Sequence, residues 1–489
     1  MSGLLALAAC MGEEDFSVST HDKLEFSQDT LAFDTVIAGE ATKTYSFQVF
    51  NKGDKALRIN NVRLEQGEGS PWEVNVDGTW LKGGVSTQDF TISARDSMRV
   101  FALLHAPTTE CDDPQPLEER LLFTLESGVT QEVLFTASSQ DVNIMRGETI
   151  TKDMTLNSKR PYQVFDSLVV AEGATLTLAA GTRLLFHANA SLIVHGRLVA
   201  KGELGKPVVM RGDRIDMMFE LQPYDRVPGQ WGGVTFTSTS VGNDLTWCDI
   251  HSGDYGIRCD STGTEKQKLI IDNSIIHNVN GDAFYAKACQ TFMGNCQVTN
   301  AGGNCINLVG GDYTFVHCTI GQFYAFVGVN RGVALQFTNT EYDAPIPLER
   351  CQFVNCLITG YNDDDIMGSA SDRHQDCAFN YVFKNCLLNT PKVEADAIVD
   401  CLFEDKADYD YKEHNDSTMR AGNFLPEFDF DRLIFPFTLN PKSRAVDAAD
   451  RQLTLQSGYT TDLLGNSRTA DGKPDIGAYE ATAPKEEKE

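Results

Sequence analysis

The stretch that decides the fold runs from residue 168 to 194. It contains Leu168-Val169-Val170, Leu176-Thr177-Leu178, Leu184-Leu185-Phe186 and Leu192-Ile193-Val194. Leu168, Leu176, Leu184 and Leu192 are spaced by eight, and Gly173, Gly181 and Gly196 punctuate the rows. Apolar rows this short, broken by glycine, cannot be helices. Three such rows predict one turn of a coil, and a coil cannot bury its apolar face without a neighbour.

Outward from there a longer register appears. Asn273-Ser274-Ile275-Ile276, Asn295-Cys296-Gln297-Val298 and His317-Cys318-Thr319-Ile320 start 22 residues apart (295 − 273 and 317 − 295). Asn355-Cys356-Leu357-Ile358, Asn385-Cys386-Leu387-Leu388 and Asp400-Cys401-Leu402-Phe403 repeat the pattern. The polar residue is expected to bond to the backbone at a tight bend. The small residue is expected to fill the interior beside it. A second row is predicted at Gly256-Ile257, Ala283-Phe284, Cys305-Ile306 and Ala325-Phe326. Trp231 and Trp247 read as packing residues.

Residues 24–140 show period-two alternation, as in Met98-Arg99-Val100-Phe101-Ala102-Leu103-Leu104, and turn signals such as Asn51-Lys52-Gly53-Asp54. That combination predicts a β-sandwich. His105 reads as a surface or strand-end histidine. The fold class is therefore all-β: an N-terminal β-sandwich, then a parallel β-helix.

The chain has 489 residues, with 41 Lys+Arg against 69 Asp+Glu and a net charge of −28. This balance argues against nucleic acid as a partner and disfavours attachment to anionic lipid by charge. No row is long and apolar enough for a transmembrane helix. Of the 13 cysteines, Cys10 and Cys111 stand apart and the rest fall between Cys248 and Cys401. They sit mostly inside apolar rows and read as buried, unpaired thiols.

Residues from about 160 to 405, with Pro228-Gly229-Gln230-Trp231-Gly232-Gly233-Val234, resemble right-handed parallel β-helix proteins of the pectate-lyase-like superfold. The ending Asp462-Leu463-Leu464-Gly465-Asn466-Ser467-Arg468 with Asp475-Ile476-Gly477-Ala478-Tyr479-Glu480 resembles that of envelope-anchored bacterial β-helix proteins. Phe33-Asp34-Thr35-Val36 and the rows after it resemble immunoglobulin-like modules. Leu7-Ala8-Ala9-Cys10 resembles a lipobox, which implies a lipid on Cys10, export, an outer-membrane anchor and a place at the cell surface. No basic residue precedes the short apolar run, so the chain is expected to start inside a longer signal peptide.

The expected organisation is a signal remnant and linker at 1–23, an Ig-like sandwich at 24–140, and a right-handed β-helix at 141–440. A terminal cap at 441–480 follows, then a disordered tail at 481–489. In the cap, Arg468 is expected to pair with Asp462 or Asp475, and Tyr479 to cover the last coil.

The resemblance implies carbohydrate as the ligand class, since members of the superfold cleave acidic polysaccharides or glycosides. The leading expectation is a binding or scaffolding module for polysaccharide. The alternatives are a polysaccharide lyase or glycosidase, and a protein-binding adhesin. The best acidic cluster is a loop at 362–376. There Asp363, Asp364 and Asp365 are candidate calcium ligands, and Asp363, Asp365, Arg373 and His374 are candidate catalytic groups. Tyr409 and Tyr411, interleaved with acids, are candidate sugar contacts. No cofactor is required by the sequence, and calcium is the one ion it suggests. Nucleophile-elbow, P-loop and H-E-x-x-H signatures are absent.

Overall fold

The structure is a computed structural model that describes residues 15–219, 221–325, 331–405, 420–470 and 472–482. The chain divides into two units, with the boundary between Val142 and Asn143.

The first unit is a sandwich of two five-stranded sheets. One contains Tyr45–Phe50, Ser97–Leu104 and Trp72–Val76, and the other Thr30–Ile37, Thr130–Gln140, Gln115–Leu125 and Leu57–Leu64. Pairing is antiparallel except between Thr30–Ile37 and Thr130–Gln140, which run parallel. Alternation decides what is buried. Met98, Val100, Ala102 and Leu104 point inward to Phe33, Phe47, Trp72 and Phe135. The Asn51 amide donates to the Lys55 and Ile92 carbonyls (2.8 and 3.0 Å) and so fixes the expected turn. His105 lies half-exposed against Glu73.

The second unit is a parallel β-helix with sheets of eleven, nine and ten strands. Leu168 pairs in register with Leu192, so the spacing of eight reflects three strands per coil. That rung continues through Val234, Ile257, Phe284, Ile306, Leu335 and Ile366. The rung after Ile306 is thus Leu335. Ala325-Phe326, the expected position, does not carry it, because a longer connection intervenes; Phe326 itself lies outside the described residues. Inside, Phe315, Phe353 and Phe383 stack with ring centroids 4.6 and 5.1 Å apart. This matches the spacing of neighbouring strands.

The polar residue of each repeat earns its place through its backbone rather than a local bond. Asn273, Asn295, His317, Asn355, Asn385 and Asp400 all have φ between 49° and 53°. Asn and Asp tolerate this left-handed conformation better than other side chains. The next residue turns inward and forms a ladder. The Ser274 N–H donates to Cys296 Sγ, Cys318 N–H to Cys356 Sγ, and Cys356 N–H to Cys386 Sγ, each at 3.4 Å. All twelve described cysteines are unpaired, and nine are buried.

The C-terminal segment departs from the expected cap. It lies along the outer face of the eleven-stranded sheet, touching the last coil at Leu402 and Phe403 but placing Tyr479 against the middle coils. Phe424, Phe437, Leu439, Leu463, Ile476 and Tyr479 form an apolar layer with Phe323, Leu357 and Leu387 of that face. A short helix, Arg451–Ser457, is capped by the Asp450 side chain and docks Thr454 on His317 and Asn355. Arg468 is fully buried and pairs with Glu480 (2.8 Å), not with a carboxylate of Asp462 or Asp475. It also donates to Asn295 Oδ1 and to the Gly477 carbonyl (2.7 and 2.9 Å). The Asp462 carboxylate accepts instead from the N–H groups of Leu464, Asn466 and Glu480. Tyr479 bonds Gln297, in the middle coils. Two of the left-handed Asn side chains find partners there, Asn295 on Arg468 and the Thr461 carbonyl, and Asn355 on Asp450 and Thr454.

Candidate functional site

The site begins where the strand Leu357–Gly360 ends. Gly360 is required there, because a Cβ would sit 2.4 Å from Asp365 Oδ2. That close approach lets Asp365 turn inward, where it is fully buried. Asn362 and Asn389 donate to its two oxygens (2.8 and 2.7 Å). Burial pushes the Asp365 carboxyl up to about 7, against the pull of those two amides. Below it Glu404, also buried and pushed upward by burial, accepts from Thr359 Oγ1 (2.7 Å) and from Asn423. Arg420 closes this polar floor by donating to the Asn362 carbonyl.

Residues next to this network in sequence, Tyr361, Ala421 and Phe424, line a cleft of about 540 Å³. Tyr361, Phe424, Phe428 and Phe430 wall it, with Arg331, Glu427 and Asn440 among its polar groups. The Arg331 guanidinium lies 4.8 Å from the Tyr361 ring centre. Tyr361 and Phe430 lie near-parallel, 6.4 Å apart. Phe430 is 47% exposed, unusual for a side chain placed only for packing. The volume falls in the range of ligand clefts, and flat rings with few polar groups suit a ligand that presents both C–H faces and hydroxyls.

The acidic loop at 362–376 is not one cluster. Residues Ile366–Ser369 form a strand of the nine-stranded sheet and split it. Asp363 and Asp364 are exposed while Asp365 points into the protein. Asp364 accepts from the Ile366 N–H (3.1 Å). Arg373 and His374 face elsewhere: both contact Asp343, through its carboxylate (2.9 Å) and its carbonyl (3.2 Å). Among the described residues, the side chains that gather three metal-ligating atoms within 4.8 Å are Asp249, His251 and His277. Cys10, Tyr409 and Tyr411 lie outside the described residues.

Sequence reasoning missed Arg331, Tyr361, Phe424, Phe428 and Phe430. A signal was present: Phe424-Leu425-Pro426-Glu427-Phe428-Asp429-Phe430 is dense in aromatics yet lies outside the spacing of the coils and carries a proline.

The chain resembles parts of several known proteins. Protein bark beetle of Drosophila melanogaster is 32% identical over 90 residues, which is 18% of this chain and 3% of that protein. The chain therefore matches only a small part of that relative. Among solved structures, the PapD-like domain 7 of human CEP192 is 15% identical, with 28% of this chain and 97% of that chain covered and a TM-score of 0.17. The catalytic domain of a GH87 α-1,3-glucanase is 9% identical, with 74% of this chain and 88% of that chain covered and a TM-score of 0.15. Neither overlap is close enough to carry an argument. Residues 148–314 match the family model of the pectate-lyase-like β-helix domain.

Proposed function

We propose that the chain is a carbohydrate-binding module of the cell envelope, and that a glycan lies in the cleft of Tyr361, Phe428 and Phe430. The observation that supports this is the cleft itself: partly exposed rings with Arg331, Glu427 and Asn440 among them. Binding is favoured over cleavage because a glycosidase needs two facing carboxylates. Glu427 is the one carboxylate among the described lining residues, and Asp365 is fully buried and not one of them. A lipid on Cys10 would hold the module at the outer membrane and, at the cell surface, face it toward polysaccharide.

The test is a glycan array on the purified chain, followed by calorimetry with the retained oligosaccharides. Tyr361→Ala and Phe430→Ala are each expected to weaken binding by at least tenfold. Recovered glycans are expected at full length; shortened ones would establish an enzyme. Retention of no glycan, or retention unchanged in both variants, would overturn the reading. Separately, labelling of the precursor with a fatty-acid analogue is expected to mark the wild type and not Cys10→Ala.

A further inference from the structure

A second constellation lies on the same outer face but in earlier coils. Arg211, His251 and His277 come from successive strands of the eleven-stranded sheet, Val208–Gly212, Cys248–His251 and Ile275–Val279. Alternation turns all three outward. Asp249 stands two residues before His251 and so shares its face. The His251 and His277 rings stack with centroids 4.8 Å apart, the spacing of neighbouring strands. A connection inserted between Gly212 and Val234 brings a fifth residue. It forms a short hairpin, Met217–Phe219 with Gln222–Pro223, and then a turn, Tyr224–Arg226, that carries Asp225. Asn278 holds this turn by donating to the Arg226 carbonyl (3.1 Å).

The contacts form a chain. His251 Nε2 meets Asp225 Oδ1 at 3.0 Å, and His251 Nδ1 meets Asp249 Oδ1 at 2.8 Å. His277 Nε2 meets the same Asp249 oxygen at 3.2 Å. Arg211 pairs with Asp225. Trp231 Nε1 donates to the His251 carbonyl (2.8 Å) and fixes the backbone beneath.

We propose that Asp249, His251 and His277 bind a divalent transition-metal ion of the zinc class, with Asp225 and Arg211 as the outer groups that aim His251. A tetrahedral ion about 2.0–2.1 Å from its ligands places them about 3.3 Å apart. Two of the three edges here, 2.8 and 3.2 Å, are near that value. A metal-bound imidazole characteristically donates its other N–H to a carboxylate, which fixes its tautomer. Asp225 stands at that position, and Arg211 in turn anchors Asp225. Two imidazoles with one carboxylate suit zinc, cobalt or nickel and not calcium, which takes oxygen ligands. The side chains of Asp249 and His277 are 31% and 24% exposed, so the fourth position opens to solvent. Three protein ligands plus water is the arrangement of a reactive site rather than a sealed structural one.

The probe is Co²⁺, titrated into the full reduced chain. One equivalent is expected to give the visible bands of a tetrahedral nitrogen- and oxygen-ligated ion, displaced by Zn²⁺. The intense near-ultraviolet band of thiolate ligation should be missing, which separates this site from the cysteines. His277→Ala is expected to abolish the visible bands, and His187→Ala, which changes a histidine paired with Asp213 outside the cluster, to keep them. Asp225→Asn is expected to weaken binding about 10–100-fold, as loss of an outer partner does. Far-ultraviolet circular dichroism checks each fold, and His277→Gln replaces His277→Ala if that variant unfolds. No visible bands in the wild type, a thiolate spectrum, or bands that survive both His277 variants would overturn the proposal. In each case the cluster would be an ion-paired chain filled by a proton.

Discussion

Asn355 shows how much one residue of the repeat carries. Its φ of 53° demands a side chain that tolerates the left-handed region. Its amide also donates to Thr454 Oγ1 (3.1 Å), and its Oδ1 accepts from the Asp450 N–H (3.0 Å). Asn355→Gly keeps the conformation and loses the bonds, whereas Asn355→Ala loses both. The alanine variant is expected to be the less stable of the two in urea unfolding. Asp365 offers a pH test. Its folded-state pKa lies near 7, above that of an unfolded aspartate, so the protonated form favours the folded chain. Its stabilisation is therefore complete below about pH 4 and is lost as pH rises through 7. Asp365→Asn removes this dependence. Its melting temperature is expected to gain steadily on that of the wild type between pH 4 and 8, whatever the offset at pH 4; a constant difference would show that the carboxyl titrates normally. The thiols give a third test. In the native chain a thiol reagent is expected to reach at most Cys111, Cys377 and Cys401 among the described cysteines, while the nine buried ones react only after unfolding. Residue identity alone made the buried thiols legible, because Cys296, Cys318 and Cys356 sit in apolar rows. It could not show which way Asp365 points. That depends on Gly360 leaving room, a contact within one coil that no periodicity encodes.

At the scale of elements, the coils were legible and the C-terminal segment, which straps the eleven-stranded sheet from outside, was not. A strand that stacks on its own repeat announces itself by spacing: Leu168 and Leu192, or Asn273 and Asn295. A segment that lies on the outside of a coil has no repeat to match. Asp462 to Glu480 pairs with Asn295, Gln297 and Thr319, which are distant in sequence, so its row looked like an ending and not a fastening. The insertion that carries Asp225 was unreadable for the same reason. The strap hangs on Arg468. Its removal leaves Glu480 buried beside a vacancy, and loss of one partner of a buried pair costs about 3–5 kcal/mol. Arg468→Ala is therefore expected to lower the denaturant midpoint of the second unit, and Arg468→Ala with Glu480→Gln to recover part of the loss. Equal midpoints for Arg468→Ala and wild type would mean that the strap contributes little.

At the scale of the molecule, the two units have separate cores. Trp72 and Trp80 lie in the first, Trp231 and Trp247 in the second. Residues 15–142 expressed alone are expected to give a cooperative unfolding transition, since their sandwich closes its own core. A solenoid is quasi-one-dimensional, so its terminal coils would be expected to loosen first. The strap changes that geometry. Tyr459 reaches back to Asp272, Arg468 to Asn295 and Tyr479 to Gln297, contacts across 187, 173 and 182 residues. Contacts of such separation slow folding, because long loops must close before they form. They also impose an order of events on synthesis. The coils from Asp272 to Thr319 emerge from the ribosome with one face bare, and that face is sealed only after the segment from Tyr459 to Tyr479 has been made.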